Sequence, residues 1–264
     1  MKQAAFFDID GTVIDKTGFI PESTVRAIAA LKERGIPSFI ASGRGRGIMN
    51  DPRLVSLGFD GIVAGGGTEV LYRDRTIFLS ELTDSEVERT LGVLSEFGIL
   101  PILEGSRHGY VYLSEDYSGD WFAERVFREE RPFLEEIRGK EGEWHVSKLT
   151  GYVPAGAAEH IEEAAEALSD LFYLIRHTPT LIEFMPHGIS KGTGLERACE
   201  ALGVDIRNSY AFGDSANDLG MFRSAGTAVA MGNATPEMKA EADYVTDALR
   251  DDGLANALKH FGLI

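Results

Sequence analysis

The sequence has a single cysteine, Cys199, and no apolar stretch long enough to span a bilayer. One cysteine excludes an internal disulfide, and because Cys199 lies in a helical pattern we expect it to be a small buried residue. The N-terminus also lacks the basic start, apolar run and small-residue cleavage site of a signal peptide. Together these absences favour a protein of the reducing cytoplasm.

Positive charge is scarce as well. The chain has 26 Lys and Arg residues against 42 Asp and Glu residues, which gives a formal net charge of −16. A surface of this sign repels nucleic acid duplexes and anionic membranes, so we expect neither as a partner. A phosphorylated substrate would need a local cation, which has to come from the motifs themselves.

Strand-like and helix-like stretches alternate in the first and last parts of the 264-residue chain. The runs "QAAFFDI", "IPSFIAS" and "FDGIVAG" are continuously apolar, which is typical of buried parallel strands, and helical patterns such as "PESTVRAIAALKERG" separate them. The same rhythm returns at "SYAFGD" and "TAVAMG". We therefore predict an α/β fold with a doubly wound parallel sheet.

The middle of the chain has a different style, with helices and strands that read as a separate α+β unit of normal domain size. The predicted organisation is a core made of residues 1–82 and 188–264. Residues 83–187 form an α+β domain inserted between the two parts of that core.

Polar residues collect where the predicted core strands end or where a core helix begins. Ligands of doubly wound sheets bind at the carboxyl ends of the strands, so these residues are expected to meet at one edge. Each one alone is commonly a turn residue, a helix cap or a solvated side chain, and only their joint occurrence predicts a site. They are, in chain order, Asp8, Asp10, Ser42, Gly43, Lys191, Asp214, Asn217 and Asp218.

The motifs that carry these residues are "FFDIDGTVID", "FIASGR", "GISKGTGL" and "YAFGDSANDLGMF". In this order they resemble the haloacid dehalogenase superfamily, and more closely its Cof-type subfamily IIB sugar phosphatases. The resemblance implies a Rossmann-like core with an inserted cap domain. It also implies an Mg²⁺-dependent phosphatase that forms an aspartyl-phosphate.

The chemistry of the residues suits phosphoryl transfer. Asp8 is the candidate nucleophile, and Asp10 would protonate the leaving alkoxide and later take a proton from the hydrolytic water. Lys191 would stabilise the transition state electrostatically. Mg²⁺ prefers carboxylate oxygens, which Asp8 and Asp214 can supply, and the resemblance adds the main-chain carbonyl of Asp10 to the metal.

Three further groups would hold the transferring phosphoryl group: the Ser42 hydroxyl, the Gly43 N–H and the Asn217 side chain. Asp218 is open to two interpretations. It is either a partner of metal-bound water or of Lys191, or a plain acidic residue at a helix start. The expected substrate is a small phosphorylated metabolite, with sugar phosphates first.

Caps of this kind select the leaving group, and Glu183 and His187 are the candidate selecting residues in the inserted domain. The loop "VAGGGTEV" departs from the subfamily, because Gly66 stands where an asparagine commonly precedes a glycine. Two alternative functions stay open from the sequence. One is a phosphomutase or phosphotransferase on the same scaffold, and the other is a non-catalytic ligand-binding protein.

Overall fold

The computed structural model describes residues 2–73 and 75–264, except for the side chains of Trp121, Phe122, Arg125 and Glu129. The chain forms two compact units. The first comprises Met1–Gly43, Asp51–Phe78 and Ile189–Ile264, and the second comprises Arg44–Asn50 and Leu79–Gly188. Within the described part of the chain, none of the helices has the length and apolar character needed to cross a membrane.

The strands are β1 (Ala4–Phe7), β2 (Ser38–Ala41), β3 (Gly61–Ala64), β4 (Glu69–Tyr72), β5 (Arg75–Leu79), β6 (Leu100–Glu104), β7 (Gly109–Val111), β8 (Leu134–Glu136), β9 (Lys148–Tyr152), β10 (Phe172–Thr178), β11 (Leu181–Pro186), β12 (Ser209–Gly213), β13 (Thr227–Ala230) and β14 (Tyr244–Val245). The α-helices are α1 (Glu22–Glu33), α2 (Pro52–Ser56), α3 (Asp84–Glu96), α4 (Trp121–Glu129), α5 (Ile161–Ala167), α6 (Lys191–Leu202), α7 (Leu219–Ser224), α8 (Pro236–Ala240) and α9 (Gly253–His260).

The first unit is built on an eight-stranded sheet in the order β14-β13-β12-β1-β2-β3-β4-β5. Strand β1 pairs in parallel with both β12 and β2, whereas β4 pairs antiparallel with β3. The predicted α/β class with a doubly wound parallel sheet is confirmed. The strand order reverses between β1 and β12, and this is the point at which such sheets bind ligands.

The apolar runs that predicted these strands are buried because helices cover the sheet. All four residues of β1 are buried, and so are all four residues of β2. The ring of Phe6 stacks on Phe39 with centroids 4.9 Å apart, and Phe7 stacks on Phe212 at 4.7 Å. Helix α6 contributes Cys199 to the same core, buried as predicted.

The second unit has its own six-stranded sheet, in the order β10-β11-β9-β6-β7-β8. Its pairings are antiparallel except for β7 with β8. One apolar cluster joins this sheet to α3 and α5, and it includes Leu94, Ile161 and Phe184. A second cluster joins the sheet to α4 and includes Ile102, Ala123 and Tyr152.

The unit boundaries lie at 78/79 and 188/189, against predicted boundaries of 82/83 and 187/188, and one whole segment is assigned to the other unit. Arg44–Asn50 belongs to the second unit, although the sequence placed it in the core. The Gly47 N–H donates to the carbonyl of Gly105 at 2.9 Å, and Ile48 packs in the second unit's apolar cluster. These contacts are tertiary, so no local pattern in the segment could predict them.

Candidate active site

Asp8 and Asp214 follow the two strands that flank the reversal of strand order. Phe7 pairs with Phe212, and the Asp8 N–H continues the ladder by donating to the Phe212 carbonyl at 2.9 Å. Both carboxylates therefore leave the sheet at the same edge. Asp8 is buried and Asp214 is half-buried.

Asp10 lies in the turn that follows β1. Gly11 has a φ of 91°, which glycine adopts without strain, and its N–H donates to the Ile14 carbonyl at 2.8 Å. A side chain at Gly11 would place its first carbon 2.2 Å from Asp214 Oδ2. The glycine is therefore required for the turn to pass this close to Asp214.

Lys191 is the first residue of α6, and Ser190 and Thr193 cap that helix reciprocally. The Lys191 Nζ lies 2.5 Å from Asp8 Oδ1 and 2.6 Å from Asp218 Oδ1. All three side chains are buried. The predicted cation thus contacts the predicted nucleophile directly.

Asp218 combines the two interpretations that the sequence left open. Its Oδ1 contacts Lys191, while its Oδ2 accepts the N–H groups of Asp214 at 3.1 Å and Ser215 at 3.3 Å. A side chain at Gly213 would come within 2.7 Å of Asp218 Cβ. Asp218 therefore fixes the turn that carries Asp214 as well as holding Lys191.

The charges of this cluster do not balance. Asp8, Asp214 and Asp218 each present a carboxylate oxygen, and these oxygens lie within 4.8 Å of one another. Burial and then the Asp218 charge raise the pKa of Asp8 well above its ordinary value. Burial and then Asp218 also raise the pKa of Asp214 to about 7. Burial alone would lower the pKa of Lys191, but Asp218 and Asp8 outweigh it and the pKa is raised.

A divalent cation fits this donor set. Among the described residues, the Oδ1 atom of Asp214 is buried and has no hydrogen-bond partner. An oxygen buried in this way costs free energy unless a cation or donor faces it. Asp8 and Asp214 supply the hard carboxylate ligands that Mg²⁺ prefers, and a cation beside them would offset the excess negative charge.

The residues expected to hold the phosphoryl group lie near the same strand ends. The Ser42 N–H donates to Val63 at 2.8 Å, and the Ser42 carbonyl accepts the N–H of Gly66 at 2.8 Å. A side chain at Gly43 would begin 3.9 Å from Asn217 Nδ2. The loop after β2 and the loop after β12 thus bring Gly43 and Asn217 together.

Gly66 has a φ of 63° in the loop after β3. Glycine and asparagine are the residues that most readily adopt this left-handed backbone, so Gly66 suits this position. Through its N–H, Gly66 supports the loop that carries Ser42.

A pocket of about 640 Å³ opens beside these carboxylates within the first unit. Its walls include Asp10, Asp214, Lys16, Asn233 and Arg250. Lys16, Asn233 and Arg250 were not predicted from the sequence. For Asn233 a signal existed, since it follows the strand "TAVA" directly after a glycine, at the position where the other core strands carry their polar residues.

The two candidate selecting residues lie in the second unit, and each is engaged there. Glu183 contacts Lys148 at 2.5 Å and His177 at 2.6 Å. Burial would raise the pKa of Glu183, but Lys148 and then His177 outweigh it and lower the pKa to about 2. The His187 Nε2 lies 2.8 Å from the carbonyl of Ser169. Their part in leaving-group selection stays a prediction.

The sequence patterns did not single out Lys148 or Thr150, which belong to a buried polar network around Glu183. Lys148 Nζ also lies 3.3 Å from Glu104, which accepts from the Thr150 hydroxyl at 2.7 Å and from the Gly45 N–H at 2.6 Å. The signal in the sequence was a lysine within the strand-like stretch "KLTGY". All five residues of this strand are buried in the structure. A buried lysine is rare unless it is paired.

A doubly wound sheet with an acidic cluster and Lys191 at its reversal point is an arrangement suited to an α/β enzyme that acts on phosphate esters. Residues 5–258 match the haloacid dehalogenase-like hydrolases, and the chain belongs to this family. The resemblance to the Cof-type members of the superfamily is thereby confirmed.

Individual relatives agree with this assignment. The chain is 34% identical to YkrA of Bacillus subtilis, named as a phosphatase, over 98% of this chain and 97% of that protein. It is 26% identical to the phosphoglycolate phosphatase of Methanothermobacter thermautotrophicus over 98% of both chains. A solved sugar phosphatase of superfamily subclass IIB is 27% identical over the whole of both chains, with a TM-score of 0.81. The chain is therefore a phosphatase, which favours an enzyme over the ligand-binding alternative.

Proposed function

We propose that the protein hydrolyses monoesters of small phosphorylated metabolites, sugar phosphates first, with Mg²⁺ and through an aspartyl-phosphate on Asp8. The observation that carries this proposal is the contact of Lys191 with both Asp8 and Asp218, beside a buried Asp214 oxygen that has no hydrogen-bond partner among the described residues. The similarity to a subclass IIB sugar phosphatase supports the substrate class.

In the first step a carboxylate oxygen of Asp8 bonds to phosphorus as the bond from phosphorus to the ester oxygen breaks. Asp10, protonated, gives its proton to that leaving oxygen. Lys191 holds Asp8 in place and lies where it can offset charge on the phosphoryl oxygens. Ser42, Gly43 and Asn217 hold those oxygens.

In the second step Asp10, now ionised, takes a proton from water. The water oxygen bonds to phosphorus, the bond from phosphorus to Asp8 breaks, and inorganic phosphate leaves. Asp8 and Asp214 would hold Mg²⁺, with the Asp10 carbonyl as a further ligand by resemblance. When bound, this ion would weaken the electrostatic repulsion between the Asp8 carboxylate and the phosphate dianion.

The test is phosphate release from a panel of sugar phosphates, phosphoglycolate and nucleotides, with Mg²⁺ or with EDTA. We expect release that requires the metal and disappears in Asp8→Asn. Asp205→Asn is the matched control, since Asp205 is an exposed aspartate of the same unit that pairs with Arg207. Borohydride trapping of the phosphorylated enzyme should modify Asp8 and no other aspartate.

Two results would contradict the proposal. Release that persists in Asp8→Asn would exclude the aspartyl-phosphate. Phosphate transfer to an added sugar alcohol in place of release to water would favour the phosphotransferase alternative.

A further inference from the structure

Asn233 uses both ends of its side-chain amide to join two loops of the first unit. Its Nδ2 donates to the carbonyl of Gly11 at 2.8 Å, and its Oδ1 accepts the N–H of Leu249 at 2.8 Å. A side-chain amide is among the few groups that can donate and accept at opposite ends. Substitution by aspartate would remove the donor, and substitution by alanine would remove both contacts.

The loop that carries Asn233 contacts two turns of the candidate active site, the one that carries Asp214 and the one that carries Asp10 and Gly11. The Thr235 N–H donates to the carbonyl of Asp214 at 3.0 Å, while Asn233 holds the carbonyl of Gly11. Gly11 itself approaches Asp214 so closely that a side chain there would overlap it. One short loop thus contacts the backbone of the Asp214 turn and the backbone of the Asp10–Gly11 turn.

The Oδ1 end of the Asn233 side chain contacts a buried residue, Leu249. Leu249 is 4% exposed and therefore belongs to the buried interior. Its neighbour Arg250 donates from Nε to Asp15 at 2.8 Å, so the same loop also contacts the segment that follows the turn. Through Leu249, Asn233 therefore joins the Asp10–Gly11 turn to a buried part of the chain.

We propose that Asn233 is a positioning residue that holds the Asp10–Gly11 turn where Asp10 can exchange a proton with the leaving group. The inference rests on the proposed function, in which Asp10 is the general acid and base. Proton donation matters most for a poor leaving group and least for a good one. The effect of an Asn233 substitution on kcat/KM is therefore expected to depend on the ester. A general loss of folded structure would lower kcat/KM equally for every ester.

The test compares Asn233→Ala and Asn233→Asp with the wild type on a sugar phosphate and on p-nitrophenyl phosphate. We expect kcat/KM for the sugar phosphate to fall about 100-fold, the lower end of what general acid catalysis contributes, and that for the aryl ester to fall less than about threefold. The matched control is Asn256→Ala, since the Asn256 amide donates instead to Asp247 and to the carbonyl of Asp251. An equal fall for both esters would overturn the positioning role.

Hydrogen exchange separates this inference from the proposed function. The N–H groups of Gly11, Thr12 and Val13 are bonded within the turn, to Ile14 and Ile9. In Asn233→Ala they should exchange faster, and in Asn256→Ala they should not. Unchanged exchange would overturn the inference even if the enzyme is active. A wild type that releases phosphate from no ester would sink the proposed function, while the exchange comparison would still decide whether Asn233 holds the turn.

Discussion

Lys191 holds two buried carboxylates, so its removal should be costly in two separate ways. In Lys191→Met we expect the free energy of unfolding to fall by about 3–5 kcal/mol, because Asp8 and Asp218 are left buried without their cation. Phosphatase activity should be lost as well. Urea unfolding and phosphate release measure the two effects.

The double variant Lys191→Met/Asp218→Asn is the control that separates them. The amide introduced at position 218 can still accept from the backbone N–H groups of Asp214 and Ser215, while one of the stranded charges is gone. Stability should therefore recover in part and activity should not. Recovery of both would mean that Lys191 acts only as a counter-ion.

The raised pKa of Asp214 should make the stability of the metal-free protein depend on pH. Its pKa is raised from 3.8 to about 7, so between these values this carboxyl is protonated more fully in the folded state than in the unfolded state. The contribution of Asp214 to the free energy of unfolding should then fall by a few kcal/mol as the pH rises through this window. Mg²⁺ should reverse the trend, because the ionised carboxylate binds it.

Urea unfolding in EDTA at several pH values across that window, repeated with Mg²⁺, checks this expectation. The stability of the wild type relative to Asp214→Asn should fall as the pH rises in EDTA, and the variant should lose most of the response to the metal. A difference between the two proteins that grows in favour of the wild type as the pH rises in EDTA would contradict this expectation.

At the residue scale the sequence predicts identity better than contact. Asp8, Lys191 and Asp214 could be named because each follows a strand or opens a helix in a recognisable motif. The double use of Asp218 and the clamp formed by Asn233 could not, since both depend on which loops meet in three dimensions. The assigned roles in catalysis stay predictions until variants are measured.

At the scale of elements, the turn after β1 depends on a glycine for two reasons. Gly11→Ala would combine a left-handed φ with an overlap against Asp214. We expect kcat/KM to fall about 100-fold, as for a displacement of about 1 Å in a catalytic group. The metal-induced rise in stability should shrink too, because Asp214 is pushed from its place.

Gly35→Ala is the matched control for this prediction. Gly35 also has a positive φ, 68°, but within the described part of the chain a side chain there meets no atom within 4 Å. It should cost about 1 kcal/mol in stability, the conformational term alone, and leave kcat/KM unchanged. If both variants lose activity alike, the contact of Gly11 with Asp214 is not what matters.

Elements with strong local patterns were predictable, and elements defined by distant partners were not. The apolar runs of β1, β2 and β3 announce buried parallel strands by themselves. The segment Arg44–Asn50 carries no such pattern, and it joins the second unit through the hydrogen bond from the Gly47 N–H to the Gly105 carbonyl and through the packing of Ile48. Gly47 allows this close approach, because a side chain at position 47 would overlap the backbone of His108.

At the scale of the whole molecule, each unit has its own apolar core and its own spectroscopic or chemical reporter. Both tryptophans of the chain, Trp121 and Trp144, belong to the second unit. The single cysteine, Cys199, is buried in the core of the first unit, and burial raises the pKa of its thiol to about 11. Thiol labelling therefore reports unfolding of the first unit, and tryptophan fluorescence reports the second.

The candidate metal ligands all lie in the first unit, and a ligand stabilises the unit that binds it. In urea we expect Mg²⁺ to move the midpoint of Cys199 labelling to higher denaturant and to leave the fluorescence midpoint in place. Asp214→Asn should remove the shift in labelling. If Mg²⁺ moves both midpoints by the same amount, the two units unfold as one cooperative body, and a two-state description holds for the entire chain.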